Sequence, residues 1–503
     1  MQKQPEAVII GAGVGGLTTA VFLARAGYQV KIFEKNPNPG GRCGKLMRDG
    51  HRFDLGATLL LMPSIYREVF NALDINMDTE LETQSLDQVY KLFFSDGSVF
   101  PFHRNEEKMK ENLMAIEPEC YPLYQRYIRE GYDFFKQAMT GLLNRNFYHA
   151  FQFIKPANVA LLIRLKTWII HTNYVKRFFK DHRLQKAFSF QNIYVGQNPY
   201  RQPAFFSMLP GAEVHEGALF PKGGMHRIVE RLISEARKLG VEIILNEPVE
   251  KIIIRKNRAT GILLENNREV MADIVIANAD LPYIYNQLLP PGLMQQRLKR
   301  MEYSCSALVF HWGLKKVYPQ LDQHSIFLED PYKEGMDMIF RDKNISDKPS
   351  FYVHSPVRSD KTAAPENEDS LSIIVPIGHL CNKNEDQWTE IKTRTRANII
   401  HRLQEAGLTD IENQIKFEIC FTPKTFEQYC HVTKGAVFGS LSHTIFQMGW
   451  FRPHNRHIKF KNLYFAGGST HPGNGIPLVL LSAKLCAERI LREQPALKTD
   501  GIA

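Results

Sequence analysis

AVIIGAGVGGLTTAVFLARAGYQVKIFEK, residues 7–35, decides the fold. An apolar strand runs into Gly11, a helix follows, and a second strand ends on the acid Glu34. Gly11 permits the tight turn, Gly13 lets backbone come close to a pyrophosphate, and Gly16 lets helix pack on strand. The helix start adds free N–H groups and the positive end of a dipole, which suit phosphate. Glu34 is placed to accept hydrogen bonds from a ribose 2′-hydroxyl, and it would repel a 2′-phosphate. The unit is therefore a Rossmann-type dinucleotide site, and NADP is disfavoured. This pattern alone does not choose between NAD and FAD.

Two further stretches narrow the choice. PNPGGRCGKLMRDGHRFDLGATLL (37–60) keeps the backbone bare at Gly40 and Gly41 and offers Arg42 as a cofactor contact. NLYFAGGSTHPGNGIPLVLLSAK (462–484) is a strand broken at Gly467-Gly468, followed by a helix from about Pro477. A glycine turn feeding a helix aims backbone N–H groups at an electron-rich ligand. Together with Phe53–Gly56, the PKGGM run at 221–225 and the FQNIYVGQNPYRQPAFFSMLP stretch (190–210), these segments resemble the bacterial carotenoid (phytoene) desaturase family, within the FAD-dependent amine-oxidase/phytoene-desaturase superfamily. The family's C-terminal signature maps onto Thr470, His471, Pro472, Gly473, Gly475, Ile476 and Pro477. Leu478 departs from it, standing where the family usually has Gly, and Gly468-Ser469 replaces the usual Ala-Gly, which leaves the substrate within the family open.

The resemblance implies FAD as cofactor, held by Gly11, Gly13, Gly16, Glu34, Lys35, Gly41, Arg42, Val249, Gly467, Gly468, Gly475, Ile476 and Pro477. It implies desaturation of an acyclic carotenoid such as phytoene, with hydride passing to flavin N5 and the flavin reoxidised by dioxygen or a quinone. His471 and Asp54 are the candidate proton acceptors, each weighed against a structural role in its turn. Two alternatives share the fold: a carotenoid terminal-methyl oxidase, and a flavin amine oxidase. The second calls for an acid at the Gly467-Gly468 turn, which has none. A flavin-free lipid carrier is disfavoured by the intact glycines, Glu34 and Arg42.

The chain of 503 residues is long enough for two or three lobes around a large core. The expected architecture is α/β: a discontinuous Rossmann-type FAD domain (1–74, 216–300, 416–503) and a second α+β substrate domain (75–215, 301–415) with an antiparallel sheet. A hairpin is expected around Ser95-Asp96-Gly97, helices over 105–190, parallel strands at Val241–Leu245 and Val249–Ile254, and a polar surface loop at RSDKTAAPENEDS (358–370). Net charge is +10, with no basic run interleaved with aromatics, so an anionic membrane surface is expected as a partner rather than nucleic acid. Segment 152–179, with Trp168 and basic flanks, fits an interfacial helix or an ordinary core helix.

With MQKQPE leading straight into the first strand, no secretory signal is expected, and no apolar run is long enough to span a bilayer. Seven scattered cysteines (Cys43, Cys120, Cys305, Cys381, Cys420, Cys430, Cys486) suggest reduced thiols and no metal site. The expected location is the cytoplasm, on the inner face of the membrane; oligomeric state stays open.

Overall fold

Five short strands, the central ones buried, form a parallel sheet in the order Leu463–Phe465, Ile274–Ala277, Glu6–Ile10, Gln29–Phe33, Glu242–Ile244. Such strands are covered on both faces, which explains their unbroken apolar runs. In the computed structural model, which describes residues 4–380 and 383–494, helices Val14–Arg25, Arg227–Lys238 and Ile476–Glu493 cover one face, and strands Val249–Arg255 and Arg258–Leu264 with the 281–289 segment cover the other. Cys381 lies outside the described residues. The six other cysteines are free thiols.

A second sheet of seven strands runs Ile415–Phe421, Ser306–Leu314, Asp369–Ile377, Phe351–His354, His324–Leu328, Gln88–Phe94, Val99–His103. It is antiparallel except where His324–Leu328 lies parallel to Gln88–Phe94. Helices from 106 to 216 pack beside it, the longest being Tyr121–Ala138 against Met208–Glu216. Close approach there is set by Gly131 and Gly211: a Cβ on Gly131 would lie 2.3 Å from the Ser207 carbonyl oxygen.

Four expectations need correction. Val249–Arg255 is not a parallel neighbour of the Rossmann strands; it pairs antiparallel with Arg258–Leu264 in a separate three-stranded sheet. A tight turn at Lys256-Asn257, both at positive φ, reverses the chain before it can cross over. The boundary at 415/416 is too early, because Ile415–Phe421 is an edge strand of the seven-stranded sheet. The 358–370 run is a surface loop only in part: Lys361, Thr362, Glu366 and Asn367 are exposed, but Asp360, Ala363, Asp369 and Ser370 are buried. Asp360 ion-pairs with Arg52 at 2.6 Å, and Arg358 with Asp369 at 2.9 Å. Finally, 152–179 is not one helix. It breaks into Ala150–Phe153, Pro156–Arg164 and His171–Val175, interrupted by Pro156 and by Lys166 at φ +52°.

Candidate active site

The C-terminal ends of the parallel strands are where open α/β sheets bind ligands. Here they converge on one cavity. Gly11 turns at φ +95°, a conformation that favours glycine, and its N–H donates to the Phe33 carbonyl at 2.8 Å. Gly16 must be bare, because a Cβ would sit 2.2 Å from the Gly11 carbonyl oxygen. Gly16 therefore acts behind the cavity wall, while Gly11, Gly13, Gly41, Gly467, Gly468 and Gly475 line it. The Gly40 loop docks on the first turn, its N–H donating to the Ala12 carbonyl at 2.8 Å.

Glu34 is buried and held by two backbone donors, Ala12 N–H and Asn36 N–H, both at 2.9 Å. One oxygen takes each donor, so both keep a lone pair with which a ligand in the cavity could bond. Arg42 lies half-buried between the two glycine turns. Its Nη1 donates to the Val437 carbonyl at 2.9 Å, and its Nη2 would be 3.3 Å from a Cβ on Gly468. Lys35 lines the cavity, but its ammonium donates to the Gln428 carbonyl at 2.8 Å, and burial lowers its pKa. Val249, Ile476 and Pro477 also line the cavity.

Does this cradle fit FAD? Helix Val14–Arg25 starts at Gly13 without a side-chain cap and with no acid in its first turn. Helix Ile476–Glu493 starts at Gly475 in the same way. Two uncapped helix N-termini thus open onto one cavity, each offering unpaired donors to an anionic or electron-rich group. With the Glu34 carboxylate at one side, the donor set matches a dinucleotide pyrophosphate, its ribose and a flavin ring. The residues fit.

Asn278 and Asp280 were missed from sequence, although they directly follow the buried run Ile274–Ala277, at the tip of a parallel strand. Asn278 wedges between the two glycine turns: its Nδ2 donates to the Gly11 carbonyl at 3.2 Å, and its Oδ1 would be 2.5 Å from a Cβ on Gly15. Asp280 accepts from Ser469 Oγ at 2.7 Å and from Thr433 N–H at 3.0 Å. The acid paired to the C-terminal turn comes from another strand.

His471 does not line the cavity. Its Nε2–H donates to the Arg145 carbonyl at 2.9 Å, and burial pushes its pKa down to about 3. Asp54 does line it. Burial pushes its carboxyl up to about 6, against backbone N–H donation from Met225 and His226. The carboxylate fills the space over Gly224 in the PKGGM turn, where a Cβ would meet it at 2.9 Å. Beyond these residues the cavity continues between walls of Phe, Leu, Met, Ile and Tyr side chains from both sheets' flanking helices, including Phe135, Leu142, Leu162, Leu209 and Met336.

A dinucleotide cradle joined to an apolar chamber, with a second glycine turn between them, defines an FAD-dependent oxidoreductase. The chain belongs to the flavin containing amine oxidoreductase family, whose model matches residues 14–491. It is 37% identical to a phytoene desaturase of Fusarium fujikuroi over 97% of this chain and 89% of that protein. It is also 31% identical to a 4,4'-diapolycopene oxygenase of Methylomonas sp over 97% and 98% of the two chains. Among solved structures, a putrescine oxidase variant shares the fold with a TM-score of 0.64 at 15% identity, covering 97% of this chain and 99% of that one.

Proposed function

We propose that the protein is an FAD-dependent desaturase of an acyclic carotenoid. The observation that carries this reading is the continuity of the cavity: it runs from the glycine cradle past Gly467-Gly468 into a chamber walled by apolar side chains. A polyene has few polar handles, and burial of apolar surface at about 25 cal/mol per Å² suffices to bind one. The relatives named for phytoene desaturation and diapolycopene oxygenation support a polyene ligand.

When bound, FAD supplies the two-electron oxidation. The chain's own residues bind, orient and keep water out. The apolar walls hold the polyene in line with the turn at Gly467-Gly468. Asp54 is ionised above about 6 and could hold a released proton on a carboxylate oxygen. Its backbone bonds make it first the anchor of the PKGGM turn. His471 braces the C-terminal turn against Arg145 and takes no proton near neutral pH. Dioxygen or a quinone would serve as the final electron acceptor.

The chamber's mouth supports a membrane-surface role. Phe153, Leu162, Ile445 and Phe451 line the cavity, and around them Phe151, Ile154, Trp168 and Phe446 stand exposed, the last by 78%. Lys155, Arg164, Lys176 and Arg177 are exposed on the same segment. Apolar side chains rimmed by cations suit the interface of an anionic bilayer. No helix among the described residues is long and apolar enough to cross a membrane. We read the protein as bound to the inner membrane face, drawing its substrate from lipid.

The deciding experiment is anaerobic: FAD-loaded protein is mixed with liposomes holding an acyclic polyene, and the flavin and polyene spectra are followed together. Flavin bleaching with a red-shifted polyene supports desaturation. Product formed only in air, with oxygen incorporated and no anaerobic bleaching, supports the oxygenase reading that the Methylomonas relative favours. No change with any polyene in either condition overturns both.

A further inference from the structure

The apolar chamber is not apolar everywhere. On the wall built from the seven-stranded sheet and the Phe190–Val195 turn, two phenols stand half-buried and line the cavity: Tyr194 and Tyr352. Each is backed by a buried polar partner. Tyr194 donates to Glu213 Oε1 at 3.3 Å, and Tyr90 donates to the other oxygen of the same carboxyl at 3.2 Å. Tyr90 in turn accepts from Gln191 Nε2 at 2.9 Å. Tyr352 shares hydrogen bonds with Thr58 Oγ1 at 2.7 Å and with His324 Nδ1 at 2.6 Å. Both phenols belong to the lining of the same cavity.

A hydrocarbon pressed against this wall would leave the remaining lone pairs of the Tyr194 oxygen without a donor, while Tyr352 keeps its bonds to Thr58 and His324. Burying a hydroxyl without its full complement of partners is costly, and a chamber shaped only for hydrocarbon would carry phenylalanine at both positions. Glu213 adds to the point. It is a fully buried carboxyl on helix Met208–Glu216 with no cation within ion-pair distance among the described residues, kept there only by Tyr90, Tyr194 and Gln191. The arrangement holds the Tyr194 proton on Glu213 and leaves the oxygen's lone pairs for a donor in the cavity it lines. Tyr352 is held similarly, between an acceptor-donor hydroxyl and an imidazole. Tyr194, its proton given to Glu213, can accept from a ligand hydroxyl, and Tyr352 can donate to a ligand carbonyl by giving up its bond to Thr58 or His324.

We propose that Tyr194 and Tyr352 form a binding station for an oxygen function, a hydroxyl or a carbonyl, carried by the polyene. This rests on the desaturase reading and narrows its substrate class to oxygenated acyclic polyenes.

Three polyenes of equal conjugation length separate the possibilities: a hydrocarbon, its alcohol and its aldehyde. Binding to FAD-loaded protein is followed by the shift of polyene absorbance. The alcohol, the aldehyde or both should bind at least tenfold tighter than the hydrocarbon, equivalent to about 1.4 kcal/mol; whichever does so identifies the oxygen function. The preference should fall severalfold in Tyr194→Phe and in Tyr352→Phe, which keep the rings and lose only the hydroxyls. FAD content and melting temperature check that each variant is folded, and either variant alone suffices. Equal affinity for all three polyenes, or a preference that survives in both variants, overturns the station. If the hydrocarbon also bleaches the flavin as fast as the alcohol and aldehyde, the station falls while desaturation stands. Flavin reduction by none of the three instead overturns the function on which the station rests.

Discussion

Glu213 offers a quantitative test of the chamber wall, independent of any ligand. Its carboxyl is fully buried, and burial raises its pKa from 4.5 to about 8, against hydrogen bonds from Tyr90, Tyr194 and Gln191 that favour the charged form. Above 4.5 the unfolded chain gives up this proton, while the folded protein keeps it until about 8. The folded state therefore binds more protons through that window, and stability falls as pH rises across it. At 1.36 kcal/mol per tenfold change in proton concentration, the full penalty is about 5 kcal/mol above pH 8 and absent below 4.5. Glu213→Gln keeps the shape and removes the titration. The assay is thermal unfolding of the FAD-loaded protein and of the variant from pH 4.5 to 9. The two melting temperatures should lie close together at pH 4.5 and then diverge, with the variant the more stable at pH 9. Parallel curves across the range would show that Glu213 ionises in the folded protein as it does in water, and would refute the buried, desolvated wall.

Gly16→Ala should abolish FAD retention, since its Cβ would press to 2.2 Å on the Gly11 carbonyl oxygen and overpacking of this kind costs about 1–3 kcal/mol at the turn; a wild-type ratio of 450 nm to 280 nm absorbance after gel filtration would contradict this. Arg52→Met should destabilise by about 3–5 kcal/mol by stranding buried Asp360, and Arg52→Met with Asp360→Asn should recover part of the loss in a double-mutant cycle. Asp360 itself is held down to about 2, against the opposing effect of burial, by hydrogen bonds from Thr362, Gly223 and Arg52. Its contribution is present above about 4 and lost as pH falls through 2, so Asp360→Asn should flatten the acid limb of a melting profile. Trp168→Asp with Phe446→Asp should weaken sedimentation with anionic liposomes by about tenfold or more, as expected for two apolar side chains withdrawn from lipid; unchanged sedimentation would remove the membrane face from the proposal.

What was legible in the sequence shares one property: it closes locally. The turn at Gly11, the helix behind it and Glu34 all form within one strand–helix–strand unit, and Glu34 takes its Ala12 donor only 22 residues away. The second glycine turn, Gly467-Gly468 into helix Ile476–Glu493, is equally local. Neighbouring residues dictate those shapes, so spacing alone reveals them. Pairings across the chain obey no such rule. The 358–370 run is rich in charge and looked solvated, yet Asp360 finds Arg52 across 308 positions, and two opposite charges become buried that each suggested surface. Val249–Arg255 carries the same apolar pattern whether its neighbour is parallel or antiparallel, and only the turn at 256–257 decides.

The substrate wall is the extreme case. Tyr90 and Glu213 lie 123 residues apart, and Thr58 and Tyr352 lie 294 apart. Taken singly, each is an ordinary polar residue in an apolar context, which a core tolerates when it finds a partner. Only the fold shows that their partners are each other and that two of the hydroxyls remain turned to the cavity. In this architecture the proposed cofactor cradle is built from contiguous glycine turns, whereas the chamber is assembled from single residues on separate strands and turns. Substitutions such as Tyr194→Phe or Tyr352→Phe can therefore alter ligand preference without touching the cradle. That separation predicts that variants of the station keep their FAD while changing which polyene they prefer, and loss of cofactor from Tyr352→Phe would show that the two halves of the cavity are not independent.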